Sequence, residues 1–127
     1  MKKTGILNAP LNAAIAGLGH GHLVVVADCG LPIPAGVPAV DLALVKGIPS
    51  FEQVLAALLG DIEVEGALMA EEAGGTGVEQ QLVSAGLKPE TVSHEEFKAL
   101  LPSARLIVRT GEATPFANVM LRSGVTF

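Results

Sequence analysis

The chain has 127 residues, enough for one domain around a single sizeable core and too few for two. Its formal charge of −5, with 8 Lys and Arg against 13 Asp and Glu, leaves no cationic stripe to neutralise phosphates and argues against a nucleic-acid partner. Half of the residues are hydrophobic, more than a small monomer readily hides, so burial between subunits of a homo-oligomer is expected.

Aromatic residues are limited to Phe51, Phe97, Phe116 and Phe127, so the core must be aliphatic and any sugar-stacking or base-stacking surface has few candidates. Cys29 stands alone, which excludes an intrachain disulfide and fits a reducing compartment. Met1-Lys2-Lys3 followed by apolar residues imitates a signal peptide, but Asn8, Pro10 and Asn12 interrupt the apolar stretch. No charge-free apolar run reaches the ~18 residues needed to span a bilayer. The expectation is a soluble, cytoplasmic protein without membrane insertion.

In chain order, Asn8 is a suitable N-cap with Pro10 in the first turn. Leu11, Ile15 and Leu18 recur at helical spacing, and Gly19 is a C′ candidate. Leu23-Val24-Val25-Val26-Ala27 is apolar without alternation, the pattern of a strand covered on both faces, with Asp28 at its end. Pro32, Pro34 and Pro38 then exclude regular structure from a stiff loop. Val40 to Val45 reads as a short strand. Ser50 and Gln53 form a capping box that opens a helix through Leu59, with Phe51, Val54, Leu55 and Leu58 on its buried side.

Ile62 to Met69 reads as a strand, and Glu71 to Gly77 as the least ordered stretch, followed by a short helix over Val78–Ala85 closed by Gly86. Ser93 and Glu96 make a second capping box, which places His94 in the first turn of a helix running to Leu101. Ala104–Arg109 and Asn118–Arg122 read as late strands. Strands alternating with helices predict one α/β domain (1–127) with a mostly parallel sheet flanked by helices.

The chemistry-bearing residues cluster around the first strand. Gly17-x-Gly19-x-Gly21 precedes that strand and follows a helix, the reverse of a dinucleotide-binding order, so a nucleotide is rejected. His20-x-His22 puts two imidazoles on one face of extended chain, with Asp28 and Cys29 as further donors. Metal-dependent hydrolases with such a pair are barrels about twice this length, however, and no second tight ligand pair is present. No metal or other cofactor is expected. His22 reads as a strand-start residue with no role, and Cys29 as a small packed residue.

His20 is open to two readings: a helix C-terminal residue favoured by the macrodipole, or a general acid–base. Asp28 falls where ligands sit in open α/β sheets, beyond the carboxyl end of a strand. Either loop amides or a ligand's hydroxyls must satisfy it. His94 reads as a surface helix residue or as a neutral hydrogen-bonding imidazole. Glu112 reads as catalytic or as a bridge to Arg109 or Arg122.

KKTGILN, LGHGH followed by VVVADCGLPIP, SHEEFK, and VRTGEATPFAN ending in GVTF together resemble the D-ribose pyranases of the ribose/fucose mutarotase family, end to end and in order. The resemblance implies an isomerase that interconverts the β-pyranose and β-furanose forms of D-ribose and so supplies furanose to ribokinase. It implies an α/β fold assembled as a homodecamer of two pentameric rings, with sites between neighbouring subunits. By position it makes His20 the general acid, and Asp28, His94, Phe116, Ala117 and Asn118 the sugar-binding residues.

Three features depart from the family pattern. Phe116 stands where tyrosine is usual and lacks the phenolic hydroxyl. His22 stands where an acidic residue is usual, and residues 73–77 look like a shortened helix region. Two other classes stay open: a mutarotase of another sugar such as L-fucose, and a non-catalytic sugar-binding module.

Overall fold

The computed structural model describes residues 1–127. Helix α1 spans Ala9–Ala16, capped by the Asn8 side chain, which accepts from the Leu11 N–H. The helix ends earlier than Gly19 suggested: Gly17 is the C-cap, its N–H donating to Ala14 O, and the Gly19 N–H goes instead to His22 Nδ1 at 2.9 Å, in a turn that carries His20. Two backbone bonds tie the turn to the far strand: Gly21 N–H donates to Ser123 O, and Ser123 N–H to His22 O, both at 2.8 Å.

The strands are β1 (Leu23–Ala27), β2 (Ala39–Asp41), β3 (Val64–Ala70), β4 (Glu90–Val92), β5 (Leu106–Arg109) and β6 (Val119–Ser123), ordered β2-β5-β1-β6-β3-β4. The sheet is mixed: β1, β2, β3, β4 and β5 run one way, and β6 runs against both its neighbours. Residues 110–118 connect β5 to β6, too short for the crossover of about a dozen residues that a parallel return requires.

Helices α2 (Phe51–Asp61) and α3 (Gly77–Ser84) lie with α1 on one face of the sheet, and α4 (His94–Leu100) covers part of the other. Both capping boxes form as the sequence predicts, Ser50 with Gln53 and Ser93 with Glu96. Phe51, Val54, Leu55 and Leu58 are buried against Val24 and Val26, while Val25 and Ala27 meet Phe97 and Leu101 on the opposite face. Covering on both faces is why β1 is apolar without alternation. No helix is long and apolar enough to cross a membrane.

The second strand is shorter than expected. After Asp41 the chain folds into a turn in which Val45 bridges Ile48. The stretch from Glu71 is ordered locally: a 3₁₀ turn over Glu71–Ala73, then Thr76 capping α3.

Candidate functional site

Five strands present their carboxyl ends at one edge of the sheet, where an open cavity of about 550 Å³ lies. Asp28 enters it directly after β1. Its N–H donates to Asn118 Oδ1 at 2.8 Å, and Asn118 Nδ2 donates back to Asp28 Oδ2 at 2.9 Å. Because one partner only donates and the other only accepts, this pair fixes the orientation of the buried Asn118 amide. Asp28 Oδ1 accepts from Gly30 N–H at 2.9 Å. Loop amide and Asn118 together satisfy the carboxylate, yet an ionised carboxylate has about four lone-pair sites, so capacity remains for a ligand hydroxyl.

Asn118 is held there by its backbone. Its N–H donates to Phe116 O at 2.8 Å, and Phe116 adopts φ 60°, a left-handed conformation rare outside glycine. Such strain concentrates at ligand sites and persists only where surrounding structure over-determines it. The turn presents the Phe116 ring to His94, edge to face, with centroids 5.0 Å apart. His94 Nδ1 is shielded from solvent and has no hydrogen-bond partner, and the His94 N–H is held by both oxygens of Glu72 at 3.0 Å. His94 is thus half-buried in the cavity wall rather than a free surface helix residue. Ala117, between Phe116 and Asn118, is fully packed in the core.

Glu112 corrects an expectation: it bridges neither Arg109 nor Arg122. Its Oε1 accepts from Phe51 N–H at the start of α2, at 3.1 Å, and its Oε2 accepts from Thr114 Oγ1 at 2.9 Å. Arg109 instead grips Cys29 O and the Asp41 carboxylate. Burial raises the Glu112 carboxyl, but hydrogen bonds from Phe51, from Thr114 and from the Ala113 backbone outweigh it and hold the group below its usual 4.5.

A folded-state value below the unfolded one adds stability above the unfolded value, and that stability is lost as pH falls through the folded value. Wild type should therefore lose stability on acidification below about 4.5, and Glu112→Gln should start lower and fall less. Urea midpoints from about pH 6 to about pH 3 check the difference in slope.

His20 lies elsewhere. It precedes β1, whereas Asp28 follows it, so five strand residues at ~3.3 Å each put the two roughly 17 Å apart on opposite edges of the sheet. There the exposed imidazole Nε2 meets Glu65 Oε2 at 2.9 Å. The structure brings Asp28, His94, Phe116 and Asn118 together and leaves His20 outside that group. Sequence reasoning missed Lys46 and Lys98, which also line the cavity. The position of Lys98, four residues after His94 on one helix face, was the available signal.

The RbsD / FucU transport protein family matches residues 1–126 of this chain. The chain belongs to that family. Among RbsD / FucU relatives, a D-ribose pyranase of Streptomyces avermitilis is 54% identical over 132 residues and 100% of both chains. Bacillus subtilis RbsD, solved in complex with D-ribose, is 42% identical over 100% of both chains with a TM-score of 0.94. The fucose mutarotase of Streptococcus pneumoniae, solved with L-fucose, shares the fold at 20% identity and TM-score 0.82, again over 100% of both chains.

Proposed function

We propose that this protein is a D-ribose pyranase, interconverting the β-pyranose and β-furanose forms of D-ribose and so supplying furanose for phosphorylation by a ribokinase. The observation that carries the reading is the cavity lined by Asp28, His94 and Phe116 at the carboxyl edge, with Asn118 bonded to Asp28 behind it. It sits in a chain alike along its whole length to proteins named D-ribose pyranase. Asp28 and His94 hold sugar hydroxyls against the Phe116 ring, while Asn118, buried beside Ala117, braces the Asp28 carboxylate from behind.

His20 is the general acid. Opening the ring gives a proton to the ring oxygen and removes one from the anomeric hydroxyl, and reclosure on another hydroxyl reverses both. The reaction is proton-neutral and draws on no metal or nucleotide.

Because His20 and Asp28 occupy opposite edges, one sugar meets both only if a second copy supplies His20. The proposed assembly is the homodecamer of two pentameric rings, in the cytoplasm. Leu44, Val45 and Ile48 are exposed on the turn that carries Lys46 to the cavity rim, which supports burial by a neighbour there.

Magnetisation-transfer NMR on D-ribose tests the reading. Accelerated exchange between pyranose and furanose signals is expected. Acceleration confined to α and β pyranoses, or greater on L-fucose, would move the chain to the mutarotases. Ribose that binds with no acceleration would leave only a sugar-binding module.

A further inference from the structure

The pairing of His20 with Glu65 depends on an irregularity in the sheet. Between β3 and β6 the register runs from Val64 opposite Ser123 to Gly66 opposite Arg122, two residues on one strand against one on the other. Glu65 is the extra, unpaired residue of a β-bulge, a device that re-aims a side chain. Gly124 permits the geometry: a Cβ there would lie 3.3 Å from Glu65 Cβ and 3.3 Å from Glu63 Cγ. On the other side, the bonds between Gly21, His22 and Ser123 tie the histidine turn to the same end of β6. Bulge and turn thus converge on one contact, Glu65 Oε2 to His20 Nε2, 2.9 Å.

We propose that Glu65 is a positioning residue for His20, holding the ring so that Nδ1 is the nitrogen that exchanges a proton with the sugar. This rests on the reading of His20 as general acid. An ionised carboxylate only accepts, so Nε2 keeps its hydrogen whether the ring is neutral or charged, and the proton that comes and goes is on Nδ1. In ring opening, Nδ1–H passes its proton to the ring oxygen as the bond from that oxygen to the anomeric carbon breaks. The anomeric O–H releases its proton to water and becomes the carbonyl. In reclosure the attacking hydroxyl gives its proton to neutral Nδ1, and the carbonyl oxygen takes one from water.

The test compares Glu65→Ala, Glu65→Gln and His20→Ala in the full chain. Glu65→Ala should lower kcat for ribose exchange about tenfold with KM unchanged, because the ring is no longer held in one tautomer and orientation. Glu65→Gln, whose amide oxygen still accepts from Nε2, should recover most of the loss. With the ring neutral, the two ring nitrogens of 15N-labelled His20 should resonate far apart in wild type and draw together in Glu65→Ala as tautomers mix. An unchanged kcat in Glu65→Ala, equal losses in both Glu65 variants, or an unchanged 15N spacing overturns the proposal. If His20→Ala alone abolishes exchange, the failure is confined to Glu65. If His20→Ala exchanges at the wild-type rate, the general-acid reading falls first and Glu65 with it.

Discussion

His20→Ala should slow pyranose–furanose exchange by roughly 10²–10⁴-fold, the range that general acid–base catalysis supplies, while D-ribose still binds. The ring is exposed in the protomer and its one side-chain partner is Glu65, so its removal leaves the core untouched and the fold should persist. Magnetisation transfer measures the rate, and ribose line-broadening measures retained binding. A variant that exchanges ribose at the wild-type rate would remove His20 from the chemistry.

The same substitution tests where the two halves of the site meet. Asp28→Asn should also be impaired, since a carboxylate that accepts from Gly30 and Asn118 becomes an amide with a misplaced donor. Co-assembled His20→Ala and Asp28→Asn subunits should regain activity. If assembly is random, about a quarter of the interfaces in an equal mixture pair an intact His20 edge with an intact Asp28 cavity. A protomer that used its own His20 and Asp28 would show no recovery, but ~17 Å of strand separates them.

What the sequence made legible follows from local rules. Strand β1 showed itself because burial on both faces removes alternation, and helices α2 and α4 because Ser50, Gln53, Ser93 and Glu96 carry their own start signals. Asp28 was placed at the carboxyl edge by strand direction alone. What escaped depends on tertiary contact. Nothing in Pro115-Phe116-Ala117 announces a left-handed phenylalanine, because the packing that sustains φ 60° comes from distant elements. Glu65 alternates in sequence like a solvent-facing strand residue, and only the bulge against β6 turns it to His20. Strand β4 is three residues long, too short for a period to register. Glu112 was read as catalytic or as a bridge to an arginine, whereas it meets the Phe51 N–H at the start of α2 and Thr114 in its own loop. The order of His20, strand and Asp28 already set those two residues at opposite ends of β1, whereas the meeting of Asp28 with Asn118 and of His94 with Phe116 was visible only in the fold.

Asn118→Leu should be the most damaging change on the cavity side. The side chain is fully buried and makes two bonds to one partner, so leucine matches its volume and removes both. The Asp28 N–H then lies without an acceptor and the carboxylate loses one of its two donors. Two lost hydrogen bonds, with a partly buried N–H left unpaired, amount to about 2–4 kcal/mol of unfolding free energy. Urea denaturation reads that loss as a lowered midpoint at unchanged slope. Ribose affinity should fall with it, because the carboxylate is no longer held against the loop and turns from the cavity. Asp28→Asn is the comparison that separates the two effects. It should weaken ribose binding with a smaller loss of stability, since the backbone N–H of residue 28 still reaches Asn118 Oδ1. If Asn118→Leu unfolds at the wild-type midpoint yet fails to bind ribose, Asn118 acts on the sugar directly and not as the strut that aims Asp28.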